Sequence, residues 1–320
     1  MNFPRIAVAA LALCLAPRAS LAQETWPQKN VKFLVAFAPG GPADVIARIV
    51  GQALQEKWGK TIIVENRAGA GGNLAAGFIA RAEADGYSVL VTTSAFVVNT
   101  SLYDKPGYAL ADFSTAAYAA TTPNILVRSP ALKHATLTEI LTASKTENLA
   151  YASAGIGTTT QLAGELIFKI LAKVDVRHVP FTGAAPAASA LIAGQVPLAM
   201  LTVSSAGPFI EAGSMKAVAV TTATRLTTLP DTPTVIETGV GNVEAATDIF
   251  FFMPAKTPAA IVAKFNTDLN GIVASGALDK AYAAAGVAPV SLDQTQAHAY
   301  VAREIDKWGD VIRKTGVKVE

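Results

Sequence analysis

Short runs rich in β-branched and aromatic residues alternate along this chain with longer Ala-rich runs whose apolar positions recur every three or four residues. The stretch 31–37 (VKFLVAF) predicts a strand. The stretch 43–58 predicts a helix, because Val45, Ile46, Ile49, Val50, Ala53 and Leu54 fall on one face at helical spacing. A strand over 61–64, a helix over 73–84 and a strand over 87–93 follow. Strand, helix, strand in repetition implies a parallel sheet covered by helices, since parallel neighbours need a long crossover.

The pattern then restarts. Strands are predicted at 124–128, 149–152, 176–179, 196–202 and 216–221, with helices at 137–144, 161–172 and 186–193. After Thr222 a turn-rich stretch, RLTTLPDTPTV, leads to an aromatic strand, DIFFFM. Three helical runs near 258–275, 277–285 and 293–315 close the chain. Phe250, Phe251 and Phe252 suit a buried strand better than a pocket wall. The expectation is α/β in two domains, each a mixed sheet flanked by helices. Residues 23–122 with 222–320 would form the first and 123–221 the second. The chain then crosses twice between them, and two crossovers make a hinge.

Ahead of this pattern lies a different one. Met1 to Arg5 carries one positive charge, and residues 6–16 form an apolar run too short to span a bilayer. Pro17 breaks it, and Ser20-Leu21-Ala22 places small residues where a signal peptidase reads. This predicts a secretory signal peptide, residues 1–22, cut after Ala22, and a periplasmic location. The only cysteine, Cys14, falls inside it, and Leu13 is too large for a lipoprotein signal. The mature chain would then be free of cysteine, which suits an oxidising compartment and rules out thiol chemistry and disulfides. Removing Arg5 and Arg18 takes Lys+Arg from 26 to 24 against 24 Asp+Glu, so the mature net charge is about zero. Without a basic stripe, nucleic acid is not expected as a partner. No later apolar run reaches membrane-spanning length, so a membrane-embedded protein is not expected either.

One feature occurs twice. The first predicted strand runs into Phe37-Ala38-Pro39-Gly40-Gly41-Pro42-Ala43-Asp44 and then a helix. The strand over 149–152 runs into Ser153-Ala154-Gly155-Ile156-Gly157-Thr158-Thr159-Thr160 and then a helix. The first amides of a helix lack intrahelical partners, and the dipole places about half a positive charge there. Glycine lets the backbone approach a ligand closely. Such a turn binds an anion without Lys or Arg, and neither loop contains one. Facing each other, the loops would offer one carboxylate four or more hydrogen bonds, roughly 6–12 kcal/mol gross at about 1.5–3 each. Each loop alone is equally well a structural turn, with Asp44 and Thr158 to Thr160 as helix caps. A third cluster, Gly69-Ala70-Gly71-Gly72, lacks dinucleotide-fingerprint spacing and reads as a tight structural turn.

At these residues the chain resembles the Bug family, the periplasmic solute-binding proteins of tripartite tricarboxylate transporters. The resemblance rests on VAFAPGGPADVIARIVGQAL, IIVENRAGAGGNLAA, ADGYSVLVTTS, YASAGIGTTTQLAGEL, VRHVPFTGAAPAASALIAGQV and TTLPDTPTVIETG followed by MPAKTP, in family order. It implies a two-domain clamshell of the type II periplasmic-binding-protein kind in which both loops grip a ligand carboxylate, partly through water. Carried over, the ligand-binding residues are Phe37, Ala38, Pro39, Gly40, Gly41 and Asp44, then Ser153, Gly157, Thr158 and Thr159. Ser94, Phe181, Gly183 and Asp248 line the cleft. The implied partners are a small carboxylate and the membrane permease subunits, with the receptor a monomer and no cofactor. The chain departs from the family at Gln161 (usually His), Phe181 (Tyr), Pro197 (Asp), Asp248 (an aromatic) and Phe250 (Gly). An acidic Asp248 in an anion site suits an amine, hydroxyl or cationic ring nitrogen on the ligand, or is an exposed loop residue.

Two other functions compete. An enzyme would need a nucleophile elbow, a metal motif or a Rossmann fingerprint; none is present, and His134, His178 and His298 are scattered as packed or surface histidines. A sensor that docks on a receptor kinase would have the same binding chemistry. Dicarboxylates, tricarboxylates, acidic amino acids and aromatic acids all remain open as ligands.

Overall fold

The computed structural model describes residues 26–318; the expected signal peptide and Cys14 lie outside them. The first lobe is built by β1 (Val31–Val35), α1 (Pro42–Trp58), β2 (Ile62–Asn66), α2 (Asn73–Ile79), β3 (Ser88–Thr93) and α3 (Ala95–Leu102). α1 forms because its apolar stripe, including Ile46, Val50 and Leu54, is wholly buried. Each such side chain contributes about 1.5–3 kcal/mol on burial. Pro42 starts the helix, where its missing N–H costs nothing, and Gly59 in the left-handed conformation ends it.

β4 (Phe113–Arg128) is the spine of the molecule. Its first half pairs antiparallel with β9 (Ala246–Pro254), and its second half with β7 (Leu198–Thr202) and β8 (Lys216–Val220). The sequence predicted only 124–128. The missing half, FSTAAYAATTP, interrupts its strand-favouring Phe, Tyr and Thr with two Ala-Ala pairs and ends in Pro, and it is held by the Phe-rich β9 beside it. β9 also pairs antiparallel with β3, so the first lobe runs β2-β1-β3-β9-β4, with β10 (Ala288–Pro289) on β4.

The second lobe follows the same plan. α4 (Leu137–Ala143), β5 (Ala150–Ser153), α5 (Thr159–Glu165), β6 (Arg177–Pro180), α6 (Ala184–Ile192), β7, α7 (Val203–Glu211) and β8 succeed one another. Here β5 lies parallel to both β6 and β7. The helix predicted over 161–172 is α5 continued by a π-helical stretch, Leu166–Leu171. α3 and α7 were not predicted: α3 is apolar nearly all round, and α7 carries Pro208 inside it.

The cores follow the lobes. Phe33, Phe251 and Phe265 lie in one, and Tyr151, Leu162 and Leu198 in another. Residues 222–245, grouped by sequence with the first domain, pack on the second lobe: Val235 and Val243 join its core. The chain re-enters the first lobe at β9, and α8 (Ala259–Ala274), α9 (Asp279–Ala284) and α10 (Gln294–Thr315) follow. α10 spans both lobes, with Ala297 and Val301 in the first core and Trp308 and Ile312 in the second. No helix among the described residues is long and apolar enough to cross a membrane.

Candidate functional site

β1 and β5 each end at the cleft between the lobes, so the two glycine loops are delivered to the same place. Phe37, Gly41, Pro42 and Ala43 of the first loop and Ala154, Thr158, Thr159 and Thr160 of the second line one cavity. Thr93, Ala184, Thr202 and Thr247 complete its lining. None of these residues is charged. The cavity measures about 20 Å³, where one water needs roughly 10–15 Å³. It therefore holds one or two waters, and a larger molecule enters only when the lobes part.

The first loop is braced from behind by charge. Asp44 is buried, and its Oδ2 accepts from Gly40 N at 3.0 Å and Arg48 Nε at 3.1 Å. Its Oδ1 accepts from Arg48 Nη2 and Asn66 Nδ2, both at 2.9 Å. The Asn66 amide also donates to Phe37 O at 3.0 Å. Burial pushes the Asp44 carboxyl up, but the hydrogen bonds from Arg48, Gly40 and Asn66 outweigh it and hold the group below the usual carboxylate range. Gly40 sits at φ +81°, where a side chain is disfavoured. No side chain caps α1, whose N-cap is Gly41, so the first-turn amides of α1 stay available to an anion.

The second loop is braced by neutral groups. Thr158 caps α5, its Oγ1 accepting from Gln161 N at 3.3 Å while donating to Gly155 O at 2.6 Å. Gln161 reaches back so that its Oε1 accepts from Gly157 N at 2.7 Å. Behind it His178 Nε2 lies 2.6 Å from Ser153 Oγ, and its Nδ1 lies 3.4 Å from Gln161 Nε2. One assignment satisfies the set: His178 Nε2–H donates to Ser153 Oγ, Ser153 donates to Gly155 O, and Gln161 donates to Nδ1. That requires a neutral imidazole, and burial pushes the His178 pKa down to about 4.

The lobes touch across the cavity. Thr159 Oγ1 of α5 lies 2.6 Å from Thr247 Oγ1 of β9, which donates to Asn124 Oδ1 at 2.9 Å. Ala38 N donates to Thr182 O at 3.4 Å, and a Cβ on Gly183 would stand 3.2 Å from Ala38 Cβ. Phe37 and Ala154 also border a second, more open cavity of about 200 Å³ with Tyr103, Gly155, Ile156, Pro180, Phe181 and Thr182.

The remaining predicted residues divide. Pro39 sits between Ala38 and Gly40 at the turn of the first loop. Gly157 packs on Asn99 of the opposite lobe, and Ser153 sits behind the second loop. Thr93 lines the cavity, whereas Ser94 and Asp248 are buried against each other. Asp248 is no exposed loop residue. Its carboxylate accepts from Tyr118 OH at 2.6 Å, Thr121 Oγ1 at 2.8 Å, Tyr300 OH at 3.0 Å and Ser94 Oγ at 3.2 Å. Burial, then the Asp248 charge, push both phenols well above their ordinary range, so they stay donors. The cluster Gly69 to Gly72 is more than a structural turn: it borders the second cavity, and Gly71 abuts the Ile156 carbonyl of the other lobe. Sequence reasoning missed Thr202, Thr247 and Tyr103; strand-end threonines and a lone tyrosine carry no distinguishing pattern.

Comparison with known proteins fits this geometry. Residues 46–317 match the family model described as "Tripartite tricarboxylate transporter family receptor". The chain is 34% identical over 278 residues to the UPF0065 protein in the tcbD-tcbE intergenic region of Pseudomonas sp. strain P51, covering 85% of this chain and 82% of the relative. It is 30% identical over 307 residues to protein BugT of Bordetella pertussis, covering 94% of each. Among solved structures, Rhodopseudomonas palustris Rpa4515 with adipate superposes at a TM-score of 0.87 with 30% identity, covering 92% of this chain and 99% of that one. MatC of the same organism, with bound malate, superposes at 0.84 with 29% identity, covering 90% and 100%. This chain belongs to the tripartite tricarboxylate transporter receptor family, as a Bug-type periplasmic solute-binding protein.

Proposed function

We propose that this protein closes its two lobes over one small carboxylate in the periplasm and presents the loaded form to the membrane permease subunits of a tripartite tricarboxylate transporter. The observation that carries the reading is the convergence of two strand-to-helix loops on one cavity lined by threonine hydroxyls and apolar groups, with no charged side chain. The first-turn amides of α1 and the threonine hydroxyls of the second loop supply donors from opposite lobes. Solved relatives holding adipate and malate support a carboxylate as ligand. The predicted signal peptide supports export. Reading Phe37, Ala38, Pro39, Gly40, Gly41, Thr158 and Thr159 as the carboxylate grip, we place Asp44 as the brace of the first loop, Ser153 as part of the brace of the second, and Gly157 as its contact with the opposite lobe.

A calorimetric screen of small carboxylates against wild type and Gly41→Val tests this. Gly41 is extended (φ −81°), and a Cβ there meets only Ala38 O at 3.6 Å, so the fold tolerates the change. Gly41 itself lines the cavity of about 20 Å³, which leaves no room for added side-chain bulk beside a ligand. Binding should disappear while the melting temperature holds; unchanged affinity removes the first loop from the site.

A further inference from the structure

The second cavity says what kind of carboxylate. Resting on the two-loop reading, we infer that the ligand is a monocarboxylate whose body is an uncharged ring, lying between the lobes in the cavity of Phe37 and Phe181. The cavity shares Phe37 and Ala154 with the carboxylate grip, so the two spaces adjoin and a group attached to a gripped carboxylate lies next to it. Its volume is about 200 Å³, and an apolar cavity of roughly 150 Å³ is enough to hold benzene. Phe37 enters from the first lobe and Phe181 from the second, so closure brings two aromatic walls to one space. Between them lie flat backbone surfaces, Gly69 to Gly72 and Gly155, that lack side chains to obstruct a planar body.

The polar groups on this wall argue against a second charge. None of its lining residues carries one. The Ile156 carbonyl, an acceptor, stands against Gly71 on this wall. Acceptors repel a carboxylate. The hydroxyls of Tyr103 and Thr182 are neutral; burial pushes the Tyr103 phenol up and keeps it protonated. They suffice to orient a hydroxyl or ring nitrogen, but not to offset a desolvated second carboxylate.

The test is titration calorimetry of the full mature chain, freed of carried-over ligand by dialysis, with benzoate, cyclohexanecarboxylate, phthalate, succinate and citrate. Benzoate and cyclohexanecarboxylate should bind at least about tenfold tighter than the three others. Phe181→Ala and the milder Phe181→Leu should each weaken benzoate, alanine more, with unchanged melting temperature. Succinate, citrate or phthalate binding as tightly as benzoate, with the Gly41→Val block intact, overturns the inference and leaves the two-loop grip standing. Benzoate binding that survives Gly41→Val, or no binding of any of the five, overturns both.

Discussion

The two ligand loops occupy equivalent places, each between a parallel strand and a helix N-terminus, yet they are held differently. Behind the first stands an ionic clamp in which Asp44, Arg48 and Asn66 fix Gly40 and Phe37. Behind the second stands a neutral chain in which His178, Ser153, Gln161 and Thr158 fix Gly155 and Gly157. The clamp of the first loop grips the turn and leaves the amides of α1 uncapped. In the second loop Thr158 uses one of the α5 amides and puts hydroxyls at the cavity instead. On the proposed reading, one anion would be met by peptide dipoles from one lobe and hydroxyls from the other. The charged brace is kept out of the cavity, whose lining carries no charged side chain.

The sharpest way to break this comparison is to place a methyl group on one glycine of each loop. Gly157 and Gly40 both have positive φ, +77° and +81°, so each pays roughly 1–2 kcal/mol for a Cβ. At Gly40 the new atom makes an ordinary contact with Ala185 Cβ at 3.5 Å. At Gly157 it collides with Asn99, whose amide is tied to Gly71 O at 2.9 Å and Asn73 Oδ1 at 2.8 Å and cannot retreat without losing both. Gly157→Ala should therefore abolish carboxylate binding. Its melting temperature should fall by about 5 °C or more, and that of Gly40→Ala by about half as much. Equal losses would show that the second loop is not wedged between the lobes.

Asp44→Ala removes the ionic clamp. It leaves Gly40 N, Asn66 Nδ2 and the half-exposed Arg48 without their shared acceptor. One unsatisfied buried donor costs about 1–3 kcal/mol. Affinity should drop about 10- to 100-fold by calorimetry, because the loop loses its shape. A drop of less than threefold would mean that the backbone of 38–41 holds itself.

How much of this was readable in advance follows from where each signal lives. The helix α1 was readable from its buried periodic stripe, and the strands β1, β3 and β5 from their short, almost continuously buried apolar runs. The first half of β4 was not, because its stability comes from β9, more than a hundred residues away. The two loops were visible as glycine runs between a strand and a helix. Their braces were hidden: His178 and Asn66 meet the loops only through the parallel sheet, at separations of 25 and 29 residues. Asp248 illustrates the opposite case. Read alone it suggested a ligand contact, but four hydroxyls from β4, the residue before α3 and α10 converge on it, and no local pattern announces them.

Where the loops meet, Thr247→Val sharpens the contrast on a smaller scale. Thr247 donates to Asn124 and accepts from Thr159, so its hydroxyl joins the hinge strand to the second loop. Asn124 Nδ2 already lacks a partner, and the valine would strip its Oδ1 as well. In the open state water reaches Thr159, so the penalty of about 1 kcal/mol falls mainly on the closed state. Apparent affinity should weaken about three- to tenfold, and the bared Asn124 Oδ1 should lower the melting temperature by a few degrees. An unchanged Kd would mean that this bridge does not contribute to closure.

The smallest effect at neutral pH, and the most diagnostic, belongs to His178. Unfolded, the imidazole has the ordinary value of 6.5; folded, burial lowers it to about 4. Between these values the unfolded chain binds a proton that the folded one does not, so stability falls as pH drops from about 6.5 to about 4 and then levels. Asp44 behaves oppositely: its folded carboxyl lies below 3.8, so its clamp is fully present throughout that window and fails only under stronger acid. Affinity for the ionised carboxylate, corrected for the ligand's own protonation, should therefore hold down to about pH 4 while the melting temperature already declines. Below that, a proton on Nδ1 would face the Gln161 amide, donor against donor, and the second loop would loosen before the first. His178→Gln should bind within about threefold of wild type at pH 7.5, since a neutral side chain there costs one hydrogen bond. It should also flatten the decline in melting temperature between pH 6.5 and 4. A variant that melts along the wild-type pH curve would move that slope to another group and leave the second brace without its titrating member.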